Sequence, residues 1–239
     1  MTRSSIIFCF WSLIFFGCNS ANEALEQGRA HLRDGKFREA VQVLNKAIEA
    51  DADNAEAFNS RGVAYFELKE YANATLDYDQ AIKLQPDFYR PYYNRGLLKL
   101  AQNDLTGALK DYSDAIRLAP DTSQRIRAEI LLNRGQLFAT QGQVQPAMTD
   151  FSEAIKLAPD NALALYNRGN LRYQEKDLTG ATADFQQAVR ADPKFGKAFY
   201  GLGLAQVLQN QREAGCVSLK QAQALGYADA ANAVTGYCQ

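Results

Sequence analysis

The chain has 239 residues, a formal net charge of −1 and one histidine, His31. Near-neutral charge supplies none of the basic patch that drives binding to phosphate backbones, so nucleic acid is excluded as an expected partner. A single imidazole leaves almost no material for histidine-based metal sites or Ser-His-Asp triads, so neither a metal, a cofactor nor an enzymatic activity is expected.

The first predicted element is a targeting segment. Arg3 precedes an apolar run from Ile6 to Phe16, which ends in Gly17-Cys18-Asn19-Ser20. The run falls well short of the ~20 residues that span a bilayer and suits the hydrophobic region of a secretory signal. Gly17 directly before Cys18 resembles the lipobox of bacterial lipoproteins. The preceding positions hold Phe15 and Phe16, where that family prefers leucine and a small residue. The resemblance implies removal of residues 1–17 and lipidation of Cys18, with 18–21 as a tether; ordinary cleavage and plain secretion is the alternative. So short a tether, at about 3.5 Å of reach per residue, would hold the following domain near the lipid surface.

From Ala21 onward the chain is periodic. Gly28, Gly62, Gly96, Gly135, Gly169 and Gly203 are separated by 34, 34, 39, 34 and 34 residues, which marks an array of repeated supersecondary units. With each glycine at the eighth place of its frame, the repeats start at Ala21, Ala55, Tyr89, Ala128, Ala162 and Gly196. The twentieth place is then small (Ala40, Ala74, Ala108, Ala147, Ala181, Gly215), as is the twenty-seventh (Ala47, Ala81, Ala115, Ala154, Ala188, Ala222). The twenty-fourth is large and apolar: Leu44, Tyr78, Tyr112, Phe151, Phe185 and Leu219. The fourth, eighth and eleventh places share one helical face, and the twentieth, twenty-fourth and twenty-seventh share another, so each repeat predicts two amphipathic helices. Turn-forming pieces such as Asp34-Gly35-Lys36 and Gln141-Gly142-Gln143 separate them, and Pro86, Pro120, Pro159 and Pro193 stop the second helices.

This pattern resembles the tetratricopeptide repeat. The resemblance implies an all-α fold, a right-handed solenoid of six helix-turn-helix repeats over residues 22–229, with a C-terminal capping helix over 230–239. Five extra residues, Ser123 to Arg127, stand between the third and fourth repeats and predict either a longer first helix or a bulging loop. Specific activity is expected beside that break.

Charged residues follow the same frame. Arg61, Arg95, Arg134 and Arg168 occupy the seventh place of the four central repeats, and Asp77, Asp111, Asp150 and Asp184 occupy the twenty-third. In an antiparallel hairpin these places lie opposite, which predicts a structural Arg–Asp ion pair in each. At the sixth place, facing the groove in this family, three consecutive repeats carry Asn94, Asn133 and Asn167. Carboxamides can bond a peptide backbone with little regard for its sequence. Tyr93, Tyr166 and Tyr200 at the fifth place offer aromatic surface to partner side chains, or else pack between repeats. The residues that form a carboxylate clamp in chaperone-tail binders are mostly replaced here, by Asn59, Val63 and Glu129 among others.

Cys216 and Cys238 remain beyond the targeting segment. If the last helices run antiparallel their ends meet, so a disulfide is expected, of the kind favoured in an oxidising compartment. The function expected is a membrane-anchored scaffold of the bacterial cell envelope, at the outer membrane or the outer face of the cytoplasmic membrane, binding proteins or peptides in its groove. The alternative is a soluble periplasmic or secreted chaperone-like holder.

Overall fold

The structure is a computed structural model. It describes residues 9–238, with side chains from Ser20 onward, so the expectations placed on residues 1–17 and on the side chain of Cys18 lie outside the described residues. Thirteen helices and no strand occur among the described residues, and the chain divides into two compact units, Met1–Ala119 and Pro120–Gln239.

The first unit holds three helical hairpins: α1 (Cys9–Arg33) with α2 (Phe37–Ala50), α3 (Ala55–Glu67) with α4 (Tyr71–Leu84), and α5 (Tyr89–Ala101) with α6 (Leu105–Leu118). The second holds α7 (Gln124–Thr140) with α8 (Val144–Leu157), α9 (Ala162–Gln174) with α10 (Leu178–Ala191), and α11 (Gly196–Leu208) with α12 (Arg212–Ala224). The short α13 (Ala230–Tyr237) packs on α12. Within each unit a hairpin stacks on the next, first helix against first helix and second helix against the following first. No helix among the described residues is long and apolar enough to cross a membrane.

Every hairpin turns the same way. One residue in each turn takes a positive φ: Gly35, Lys69, Asn103, Gly142, Lys176 and Asn210, all between 62° and 71°. The residue after it donates its N–H back to a carbonyl in the last helical turn, for example Glu70 to Tyr65 and Asp104 to Lys99, both at 2.8 Å. This left-handed closure satisfies carbonyls that a helix end would otherwise leave bare. Glycine takes it without a Cβ penalty, whereas Lys69 and Lys176 adopt it at some local cost. Side-chain oxygens of Asn54, Asp104, Asn161 and Asp177 accept from Ala57, Gly107, Ala164 and Gly180 at 2.9–3.0 Å and cap α3, α6, α9 and α10.

The recurrent glycines allow the two helices of a hairpin to close on a large side chain. A Cβ on Gly62 would stand 2.6 Å from the Tyr78 ring, and one on Gly169 would stand 2.9 Å from the Phe185 ring. The alanines at the twentieth and twenty-seventh places are fully buried from the first repeat to the fifth, around Leu44 in the first and around a ring in the other four. The insertion is resolved in favour of the longer helix: α7 has 17 residues where α3, α5, α9 and α11 have 13. Its additional turn begins after Ser123, in a run of residues compatible with helix.

Candidate functional site

Four bidentate ion pairs tie first helices to second helices. In each, the arginine Nε and Nη2 donate to the two oxygens of one aspartate at 2.7–2.9 Å, joining Arg61 to Asp77, Arg95 to Asp111, Arg134 to Asp150 and Arg168 to Asp184. The carboxylate side chains are only 1–6% exposed and the arginines 15–20%. Fork-to-carboxylate geometry fixes the register of two helices as well as their distance. Hydrogen bonding to Asp77 raises the Arg61 pKa, and hydrogen bonding to Asp111 raises that of Arg95. Burial pushes the Asp77 carboxyl up against the lowering pull of Arg61. The two-pronged geometry and the raised arginine favour the ionised pair at neutral pH.

The third arginine nitrogen reaches backward to the preceding repeat. Arg61 Nη1 donates to Asn45 Oδ1 at 2.7 Å, Arg95 Nη1 to Asp79 Oδ1 at 2.5 Å and Arg168 Nη1 to Ser152 Oγ at 3.2 Å. A single guanidinium thus joins three helices. These partners occupy one place in the frame but share no residue type, so letter repetition does not reveal them.

The rungs come in two chemistries. Asp111 also receives Lys99 Nζ at 2.8 Å, and Asp184 also receives Arg172 Nη1 at 2.8 Å. At the same place in the second and fourth repeats stand Tyr65 and Phe138, whose rings lie 5.8 and 5.7 Å from the guanidinium carbons of Arg61 and Arg134. Alternate rungs are therefore closed by a second cation or by an aromatic ring.

The sixth-place asparagines are half-buried. Asn94 Nδ2 donates to Asn59 Oδ1 at 2.9 Å, so this amide is partly engaged by the scaffold itself. Asn133 lies half-buried on α7. Asn167 Nδ2 is buried without a hydrogen-bond partner; the residue one repeat back that corresponds to Asn59 is Leu132, which has nothing to accept its proton. Tyr93 and Tyr166 pack within their own hairpins, 6.0 Å from the Tyr112 and Phe185 rings respectively, and Tyr166 also crosses the seam to the next repeat, 4.9 Å from Phe195. Tyr200 packs 4.9 Å from Tyr227. These rings combine packing with partial exposure, and neither role excludes the other.

The C-terminus is pinned. Cys216 in α12 and Cys238 after α13 form a disulfide with a Cα separation of 5.5 Å, and Arg212 Nε donates to the Tyr237 carbonyl at 2.6 Å. Among the described residues no group of three or more His, Cys, Asp or Glu side chains is arranged to hold a metal ion.

No curated protein matches the chain. Solved structures do. Pseudomonas aeruginosa PilF is 18% identical, with a TM-score of 0.78 over 87% of this chain and 93% of its own. PilW, a type IV pilus biogenesis factor, is 19% identical with a TM-score of 0.72, over 90% of this chain and 98% of its own. YrrB, a TPR protein with an unusual peptide-binding site, is 20% identical with a TM-score of 0.67, over 81% of this chain and 97% of its own. At such identities the likeness is one of fold. The tetratricopeptide repeat profile matches residues 25–87, 74–123, 93–162 and 132–194. With hairpins of this length, glycine-on-ring packing and prolines after the second helices, the chain belongs to the tetratricopeptide repeat family of protein-interaction scaffolds.

Proposed function

We propose that this interaction scaffold works in the bacterial cell envelope, held to a membrane by lipid on Cys18, and binds extended segments of partner proteins along the faces of its first helices. It acts by binding and performs no chemistry. The observation that carries the compartment is the Cys216–Cys238 disulfide, because such bonds persist outside the reducing cytosol. It agrees with the N-terminal pattern of Arg3, an apolar run and Gly17-Cys18. For the binding mode, support comes from half-exposed amides and rings on α5, α7, α9 and α11, and from YrrB, a fold relative described as carrying a peptide-binding site.

The anchoring is tested by intact-mass measurement of the protein purified from membranes of an expressing bacterium. The expected mass lacks residues 1–17 and carries diacylglyceryl and acyl groups on Cys18. An unmodified N-terminus recovered in the soluble fraction would instead establish the secreted, chaperone-like alternative.

A further inference from the structure

Helix α13 stands where a seventh repeat would place its first helix. Ala230 follows Gly196 by 34 residues, the interval between complete repeats, and α13 packs on α12 as a first helix packs on the second helix before it. It runs only eight residues, too few to persist alone, and the residues it buries are Ala230 and Ala233. Its far end is fastened by one small cluster. The Cys216–Cys238 bridge joins it to α12, Arg212 Nε donates to the Tyr237 carbonyl at 2.6 Å, and Cys216 Sγ stands 3.6 Å from that same oxygen. Sulfur and guanidinium therefore converge on one atom. Both cysteines are half-buried, and an open cavity of about 340 Å³, lined by Val207, Asn210, Arg212, Gly236 and Tyr237, shares Arg212 and Tyr237 with the cluster. A thiol reagent has room to approach.

The two sulfurs differ as leaving groups. Cys216 lies in the N-terminal half of α12, four residues after Arg212, and a neighbouring guanidinium stabilises a thiolate. Glu213 is exposed to solvent, which screens its opposing charge. Cys238 is the C-cap of α13, where the carbonyls of the helix end disfavour negative charge.

We propose that this bridge is a redox latch: a dithiol oxidoreductase opens it by attack on Cys238, with Cys216 leaving as the thiolate beside Arg212, and the opening releases α13 from the end of the array. A donor thiolate bonds to Cys238 Sγ as the bridge breaks, and the electron pair of the broken bond goes to Cys216 Sγ. The donor's second thiolate then displaces Cys238 from the mixed disulfide. The donor ends as a disulfide, and Cys216 and Cys238 end as thiols, having gained two electrons and two protons between them. With the bridge gone, the few contacts of an eight-residue helix are all that hold the cap. The closed resting state rests on the envelope reading above, whereas the exchange chemistry is a property of the purified chain.

The test treats the full chain in detergent micelles with reduced glutathione, quenches with acid and maps the adducts by peptide mass. Cys238 is expected to carry glutathione about tenfold more often than Cys216. Arg212→Gln should slow the opening about tenfold and even out the adducts, and Arg212→Lys should restore most of both. A residue that merely braced the end would do the reverse, its loss loosening the bridge and speeding reduction. Dithiothreitol, which takes the chain to the dithiol, should erase hydrogen-exchange protection over residues 227–238 and leave α9 and α10 protected. Adducts shared equally in the parent chain, faster opening in Arg212→Gln, or a reduced chain that keeps α13 protected overturns the latch. A chain recovered from the cytosol overturns the compartment alone, since none of these measurements uses it.

Discussion

Replacing Asp184 with alanine should destabilise the second unit more than any other single change in a rung. Asp184 accepts from Arg168 Nε at 2.9 Å, Arg168 Nη2 at 2.7 Å and Arg172 Nη1 at 2.8 Å, and its side chain is 1% exposed. Alanine removes the bidentate partner of Arg168 and the nearer of two carboxylates around Arg172, which keeps Asp177 at 3.8 Å. Breaking a buried pair from one side costs about 3–5 kcal/mol, because the remaining charge loses both water and partner. Arg168 and Arg172 are 15% and 27% exposed, so part of that penalty is recovered by solvent. The expected loss is therefore ~2–4 kcal/mol. Asp77→Ala strands a single arginine, which keeps its bond to Asn45, and should cost less. Replacing both Arg61 and Asp77, a rung with no second cation, with methionine and leucine removes donor and acceptor together and should return stability to within ~1 kcal/mol of the parent. Urea denaturation followed by circular dichroism gives the global figure, and hydrogen exchange in α9 and α10 gives the local one. A loss below ~1 kcal/mol for Asp184→Ala, or a double replacement as damaging as Asp77→Ala, would refute a rung that works by mutual neutralisation.

Three further perturbations follow from packing. Gly169→Ala puts a methyl 2.9 Å from the Phe185 ring, which is 1% exposed and cannot retreat, whereas Gly236 in α13 has open space around it. The first should lower stability by about 1 kcal/mol, overpacking outweighing the gain in helix propensity, and the second should leave the protein as stable or slightly more so; thermal melts decide. Tyr112→Phe should be neutral or stabilising by up to ~1 kcal/mol, since the hydroxyl is buried with no hydrogen-bond partner and Phe151 and Phe185 fill the corresponding places; a clear loss in urea unfolding would reveal a partner for that oxygen. Reduction of Cys216–Cys238 reopens a loop with a sequence separation of 22, and should cost about 3 kcal/mol, concentrated in residues 212–238 by hydrogen exchange.

How much of this was legible in the letters depended on whether a role keeps its residue type. The glycines, alanines and prolines keep theirs, and the family and its helical hairpins follow directly from them. The seventh and twenty-third places do too, which is why Arg61, Arg95, Arg134 and Arg168 could be matched to the four aspartates that the structure sets opposite them. The backward contacts to Asn45, Asp79 and Ser152 were not legible, because an arginine N–H accepts any short oxygen and those residues share only a position. The alternation between Lys99 or Arg172 and Tyr65 or Phe138 was hidden for the same reason, two chemistries serving one place. The contact of Tyr200 with Tyr227 was hidden too, because Tyr227 stands where the middle repeats carry proline. The tyrosines at the fifth place show the converse. A repeated letter marked them, but repetition alone did not separate groove from seam, and the ring contacts of Tyr93 and Tyr166 show how much of each side chain is used in packing.

Site-specific photocrosslinking in intact cells tests most directly the claim that partners bind along the first helices. A crosslinker at Leu100 on α5 or Tyr173 on α9 probes that face, while Leu76 on α4 and Val217 on α12, 68% and 71% exposed, offer more open apolar sites on second helices. Partner adducts at Leu100 and Tyr173, with none at Leu76 and Val217, are the result expected. Adducts concentrated at Leu76 and Val217 would place the interaction surface on the second helices and contradict the account.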